Sequence, residues 1–403
     1  MKINKRLSKL VNFKQNLELP IHRWFNIKEG YASKLVELFI EKEKINNGFV
    51  VDFFSGSGTT ALAAKQKGLK YFGMEINPFL FLLSKVKLND YNDIDILNLQ
   101  KIKKKLYNKD NPKEQQLKLS ISKKVFSKNY SNLILLRNNI LSLKKKKYRD
   151  FFIIALCCIL EEVGTAKKDG NGLKYPKSKK VRELKDCFEA QFKKMIKDIK
   201  SSKQVTAPES KIIKADSRKI SKNQMDRIKG KAELVIFSPP YANCFDYTEV
   251  YKLELWVSGQ IQDYENLKKI RESSLSSHLN KKYLQIKPHK LLEQQIKKLD
   301  KKKLWNNKIV YMLSEYFFDM EKVLKNAYKA LQDKGVCVVV IGNSAYSGIV
   351  IETDKILCKI AKQTGFSSAK INVARKLRAS SQQSKILTSN NNNLRESVLI
   401  LKK

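Results

Sequence analysis

Leu234-Val235-Ile236-Phe237-Ser238-Pro239-Pro240-Tyr241 is an apolar run stopped by two prolines. Its first four residues predict a buried strand. Proline has no N–H for a sheet ladder, so the strand ends there. The stop leaves a hydroxyl on one side of a rigid turn and a flat ring on the other. In an open α/β sheet, ligands bind at the carboxyl ends of the strands. Taken alone, Pro-Pro is equally an ordinary turn, so the surrounding chain has to decide.

Upstream, Gly48 opens a strand over 49–54. It runs into Ser55-Gly56-Ser57-Gly58-Thr59-Thr60 and a helical Ala61-Leu62-Ala63-Ala64-Lys65. Glycines let the backbone turn sharply and come close to a ligand. The helix start offers free N–H groups to a negative group. A second strand over 71–77 carries Glu75, and Pro78 starts the next helix. Ile212-Ile213-Lys214-Ala215-Asp216-Ser217 reads as a third strand ending in an acid. Downstream come an amphipathic helix over 311–331, a buried strand over 335–343 and a helix over 352–364. Residues 369–377 and 397–401 suit an antiparallel pair, with Asn390-Asn391-Asn392-Asn393 in the loop between them. This alternation makes the core a doubly wound α/β sheet. Near the N-terminus, residues 33–40 have helical apolar spacing with Ser33 as the cap. Trp24 and Tyr31, beside that helix, are expected to pack against the core.

Successive strands thus present a Gly loop, Glu75, Asp216 and the prolyl turn. Glu75 is placed to accept hydrogen bonds from a ribose diol, and Asp216 to face an adenine amino group. A GxG turn is a weak signal alone, and strand-end acids often only cap the next helix. All four on successive strands is a far rarer coincidence. The GxGxxG spacing of a dehydrogenase is absent.

Asp52-Phe53-Phe54-Ser55-Gly56-Ser57-Gly58-Thr59-Thr60 resembles motif I of the amino-directed DNA methyltransferases, and Ser238-Pro239-Pro240-Tyr241 resembles their motif IV. Glu75 and Asp216 match motifs II and III. Residues 24–33 resemble motif X, and the tail with Arg395-Glu396-Ser397 is similar to the end of such enzymes. The resemblance covers about 1–90 and 210–256, and more loosely 310–403. Phe53 departs from it, since this family often has Pro there. Ser at the head of motif IV is similar to the cytosine-N4 group, whereas adenine-N6 enzymes mostly carry Asp or Asn.

The resemblance implies a class I fold with a mostly parallel seven-stranded sheet and mostly helical basic insertions. It implies S-adenosylmethionine as methyl donor and a base flipped out of double-stranded DNA. Ser238, Pro239, Pro240 and Tyr241 would form the catalytic turn. The Ser238 hydroxyl and the Pro239 carbonyl would hold the amine N–H groups, and Tyr241 would stack on the base. Ser33, Asp52, Phe54, Gly56, Gly58, Thr59, Glu75 and Asp216 would hold the cofactor. Cys244 needs no nucleophilic role.

With 81 Lys and Arg against 39 Asp and Glu, the formal net charge is +42. Self-repulsion on that scale asks for a polyanionic partner, nucleic acid first. The Lys, Asn and Ile richness typical of A/T-rich genomes accounts for part of it. The basic residues concentrate in two insertions. The expected organisation is 1–90 as the N-terminal part of the catalytic domain and 91–208 as a helical basic subdomain for target recognition. Residues 209–256 continue the catalytic domain, 257–308 form a second basic insertion, and 309–403 complete the domain. In the first insertion a polar loop over 167–175 would enter a DNA groove through Lys167, Lys168, Lys174 and Tyr175.

Six Cys without a CxxC pair and three His give no zinc-ligand spacing. The cysteines read as reduced core residues, which suits a cytosol. The apolar run 151–160 is about half of the ~20 residues a membrane span needs. The basic N-terminus lacks the apolar segment of a signal peptide. The expectation is a cytoplasmic, nucleoid-associated cytosine-N4 DNA methyltransferase of a restriction-modification system, with a cognate endonuclease acting on the same site. Its rivals are an adenine-N6 DNA methyltransferase, an RNA base methyltransferase and a non-catalytic DNA-binding protein.

Overall fold

The structure, a computed structural model, describes residues 3–107, 121–170, 172–202, 205, 210–283, 287–378 and 394–403. The 390–393 tract expected as a loop lies outside them.

Seven strands make one sheet: β1 Phe49–Asp52, β2 Lys70–Glu75, β3 Lys211–Lys214, β4 Ala232–Phe237, β5 Leu331–Gly342, β6 Ser368–Lys376 and β7 Arg395–Lys402. Their spatial order is β6-β7-β5-β4-β1-β2-β3. β7 alone runs against the common direction of the other six strands. The doubly wound class I fold expected from the chain is therefore present. The strand order reverses between β1 and β4, the switch point at which such sheets bind ligands.

Helices pack on both faces: α1 Ser33–Lys42, α2 Thr59–Gln66, α3 Pro78–Leu88, α4 Lys146–Cys158, α5 Leu184–Ser201, α6 Lys252–Val257, α7 Lys308–Ala330 and α8 Thr353–Gln363. Side chains alternate along a strand, and β4 feeds both cores. Leu234 and Ile236 join Leu35, Val36 and Leu62 of α1 and α2. Val235 and Phe237 join Leu313, Phe317 and Met320 of α7. A strand apolar on both sides belongs at the centre of a sheet.

The first insertion packs directly onto this frame. Phe151 and Phe152 of α4 and Phe188 and Phe192 of α5 share one apolar core with Trp24, Phe25, Phe79, Tyr251 and Trp256. Trp24 is buried as expected, edge-on to Phe151 with ring centroids 6.1 Å apart. Its indole N–H donates to Asp198 Oδ2 at 3.1 Å. Residues 151–158 of the apolar run fall on α4, and the whole run except Cys158 is buried. Among the described residues no helix is long and apolar enough to cross a membrane, and the six cysteines are free thiols.

Three local expectations are corrected. Ser33 is the first residue of α1, and Ala32 holds the cap position. The missing cap comes from outside the helix, because Ser33 N–H donates to Asn16 Oδ1 at 2.8 Å. Asp216 lies two residues beyond the end of β3, where Ala215 N–H still bonds the Glu75 carbonyl. The 167–175 stretch is a β-hairpin, Lys167–Asp169 paired with Gly172–Lys174, and not a loop.

Candidate active site

The Gly loop leaves β1 and enters α2. Gly56 and Gly58 have φ of 51° and 79°, a region that costs a side-chain-bearing residue energy. A Cβ on Gly58 would lie 2.9 Å from Ser84 Cβ, so the turn leaves no room for one. Asp52, at the end of β1, is buried. Its Oδ1 accepts from Phe54 N–H at 2.9 Å, and its Oδ2 from Tyr31 Oη at 3.2 Å. Tyr31 Oη also meets Thr60 Oγ1 at 2.6 Å. Burial pushes the Asp52 carboxyl up to about 6, while these hydrogen bonds pull the other way. Tyr31 thus packs as expected, but its hydroxyl also ties the N-terminal segment to the loop.

One strand over, Glu75 touches the same loop. Its Oε2 accepts from Gly56 N–H at 2.7 Å and its Oε1 from Asn77 N–H at 2.8 Å. Burial lifts this carboxyl to about 7. Asn77 Oδ1 caps α3 through Phe79 N–H at 3.0 Å. Among the described residues, its Nδ2 and the Ser33 hydroxyl are buried without a partner. Beyond Glu75, Asp216 is gripped by Arg218, whose Nη2 lies 2.8 Å from Asp216 Oδ2 and whose Nη1 lies 2.7 Å from Asp319 Oδ2. That grip keeps the Asp216 carboxyl below its usual range against the opposing effect of burial. Phe54, Glu75, Ile76 and Asp216 line a narrow slot of about 20 Å³, together with Ser273 and Leu275 of the second insertion. A glycine turn, two carboxylates one strand apart, an apolar ring and unpaired polar atoms form a donor set that suits a nucleoside-bearing cofactor.

The diproline turn follows β4. Ser238 Oγ donates to the Val340 carbonyl of β5 at 3.1 Å. The Pro240 carbonyl accepts from Tyr316 Oη of α7 at 3.0 Å. The Tyr241 ring lies over Gly342, where a Cβ would come within 2.7 Å of it. Its hydroxyl donates to Glu396 Oε1 at 2.8 Å. Cys244 is held at φ 64°. Burial lifts its thiol to about 11, so it is no thiolate at neutral pH. Asp246 caps the short helix after the turn through Thr248 N–H at 2.9 Å and lies 3.0 Å from Arg271, an anchoring role.

The hairpin residues divide. Alternation turns Lys167 and Lys174 outward and Lys168 inward. Lys168 is buried in an ion pair with Glu254. Its ammonium sits 4.8 Å and 5.3 Å from the Phe25 and Tyr251 ring centroids. It therefore clamps the hairpin to α6 and is not available to DNA. Lys174 is exposed beside Asp169, and Tyr175 is exposed with Lys124 5.4 Å from its ring. Sequence reasoning named no role for Arg218, Arg375 or Glu396 individually. The tail from Arg375 to Leu401, with Arg395-Glu396-Ser397, carries only its resemblance to the end of the amino-directed DNA methyltransferases.

A family model described as DNA methylase, covering N6- and N4-directed enzymes, matches residues 26–86. That span contains the Gly loop and Glu75. The chain is 27% identical to the Type II methyltransferase M.AvaI of Nostoc sp., over 92% of this chain and 84% of that one. It is 29% identical to the Type II methyltransferase M.BsoBI of Geobacillus stearothermophilus, over 93% and 84%. A shorter match, 34% identical over 89 residues, links it to the Type II methyltransferase M.MjaII of Methanocaldococcus jannaschii, over 22% of this chain and 16% of that one.

Proposed function

We propose that this chain, an amino-methyltransferase of the N4/N6 family, is the modification enzyme of a type II restriction-modification system and methylates N4 of cytosine in double-stranded DNA. The family and the class I sheet imply S-adenosylmethionine as its cofactor. When bound, that cofactor supplies an electrophilic methyl group. Glu75 would accept from its ribose, Phe54 and Asp216 would flank its adenine, and the loop at Gly56 and Gly58 would let it approach the backbone. Asp52 braces the loop through Phe54 N–H, and Thr59 and Ser33 stand at the starts of α2 and α1.

The observation that carries the reading is the Ser238 hydroxyl. It spends its proton on Val340 O, so its lone pairs remain as acceptors. With the Pro239 carbonyl they could take the two N–H groups of an exocyclic amine and favour a pyramidal nitrogen. An aromatic amine is a poor nucleophile because its lone pair is delocalised, so this positioning is where the rate comes from. Tyr241 would stack on the extruded base. Ser at the head of the turn supports cytosine. Adenine N6 is the rival, since the matching family model includes both groups. Lys167, Lys174 and Tyr175 remain candidates for DNA contact from the insertion over 91–208, and a net charge of +42 favours a polyanion. A cognate endonuclease sharing the site follows from the same reading.

Labelled S-adenosylmethionine, duplex DNA and digestion to nucleosides test it. N4-methylcytosine is expected. N6-methyladenine alone would sink the cytosine assignment, and labelling of RNA without duplex DNA would sink the substrate. Ser238→Ala should lower turnover about 10²–10³-fold and leave cofactor affinity unchanged.

A further inference from the structure

A second pocket, of about 700 Å³, opens between α3, α4 and the segment after α6. That volume is in the range of small-molecule sites. Arg137 lines it and is 3% exposed. Its guanidinium donates to the Val257 and Trp256 carbonyls at 3.0 and 3.3 Å and to Asn138 Oδ1 at 3.3 Å. Among the described residues no carboxylate pairs with it. A buried cation without a counter-charge is costly, and burial accordingly lowers its pKa to about 10.

Lys85, Lys146, Arg149 and Lys214 line the same pocket. Two acids oppose them. Asp263 uses Oδ1 to cap the next helix through Asn266 N–H at 2.8 Å. Asp150 lies 3.7 Å from Arg149; burial raises its carboxyl pKa, while Lys146, Arg149 and Lys85 pull the other way. Helix α4 starts in this wall at Lys146, with no side-chain cap and no acid in its first turn. An uncapped helix start attracts an anion. Pro78 and Lys214 place the pocket at the carboxyl ends of β2 and β3, beside the slot lined by Ile76 and Asp216.

We propose that this pocket binds a phosphate group, either from the backbone of bound nucleic acid or from a free polyphosphate. Arg137 forms its floor, and Lys146 and Arg149 its reach into solvent. In the backbone arm, which rests on the DNA reading above, it anchors the strand next to the reaction site. The free-polyphosphate arm does not depend on that reading.

The test uses the full chain and the variant Lys146→Ala/Arg149→Ala, which leaves buried Arg137 in place. Inorganic pyrophosphate binding is measured by calorimetry. Binding of a short DNA duplex is measured by anisotropy between about 50 and 200 mM salt. Pyrophosphate should bind the native chain and bind the variant at least about tenfold more weakly, against a slope change of about 2 in log K versus log salt for two lost phosphate contacts. Cofactor affinity, as the folding control, should not move. A changed slope with competition by pyrophosphate identifies the nucleic-acid backbone as the source. Pyrophosphate binding with an unchanged slope identifies a free polyphosphate. An unchanged slope together with no pyrophosphate binding to the native chain overturns the site. If RNA and not DNA proves to be the substrate, the pyrophosphate measurement still stands or falls alone.

Discussion

Tyr241 Oη and Glu396 Oε1 lie 2.8 Å apart, so the ring after the diproline turn is bonded to the antiparallel strand β7. Glu396 is itself held by Arg375 of β6. The last two strands therefore fix the orientation of a ring that β4 delivers. Glu396 is buried, which makes each of its partners expensive to lose.

Tyr241→Phe keeps the ring and removes one donor from a buried carboxylate. Stability should fall by about 1–3 kcal/mol, read from urea unfolding. Turnover should fall more than the KM for DNA rises, because the ring remains but is no longer fixed. Tyr241→Ala should also weaken capture of the target base by about 1–3 kcal/mol. Full turnover and unchanged stability in Tyr241→Phe would show that the link to Glu396 is idle.

Asp198 joins the N-terminal segment to the first insertion. It is fully buried on α5 and accepts from Ile21 N–H at 3.0 Å and from the Trp24 indole at 3.1 Å. Arg23 closes the cluster as an ion pair. Asp198→Ala leaves these donors without an acceptor, and breaking a buried pair this way costs about 3–5 kcal/mol. Unfolding by urea should reveal that loss. Arg23→Met removes a side chain that is itself partly exposed and leaves Asp198 its Ile21 and Trp24 donors, so it should cost less. Equal and small losses in both variants would contradict the role given to Asp198.

The sheet was legible because its central strands are apolar on both faces. Val50-Val51 and Leu234-Val235-Ile236-Phe237 cannot be hidden in any other way. The site was legible to the extent that its residues stand at strand ends. What stayed hidden depends on contacts between distant parts of the chain. Asn16, 17 residues before Ser33, caps α1 from outside it. Arg218 bonds Asp216 while Asp319 of α7, about a hundred residues away, holds its other nitrogen. Lys168 looked like one more lysine in a basic loop. Its burial follows from a hairpin that the polar segment 167–175 did not announce, and from Glu254 waiting in α6.

Leu275 lines the slot between Phe54 and Asp216 from the second insertion. At about 20 Å³ the slot holds roughly one water, so a planar ring needs the slot to widen, and Leu275 is the apolar side chain that the second insertion contributes to its lining. Leu275→Ala should speed cofactor association several-fold in stopped-flow measurements. The same variant should lose about 2–5 kcal/mol of stability as a buried Leu truncation. Unchanged association would mean that the cofactor enters elsewhere.

Glu75 should make stability and cofactor affinity respond to pH in opposite directions. Its folded pKa of about 7 lies above the ordinary 4.5, so folding takes up a proton between those values. The resulting stabilisation is fully present below the unfolded pKa and is lost as pH rises through about 7. The whole shift is worth on the order of 3 kcal/mol. Asp52, raised to about 6 from 3.8, acts with the same sign over a lower window. A ribose diol donates best to an ionised carboxylate, so cofactor affinity should instead strengthen as pH rises through about 7. Glu75→Gln should flatten both curves, leaving only the Asp52 part of the stability loss. Urea unfolding and calorimetric cofactor titration between pH 5 and 8, both approximate bounds on the cited window, read the two trends. Affinity that holds constant across that range in the native chain would remove Glu75 from the cofactor site.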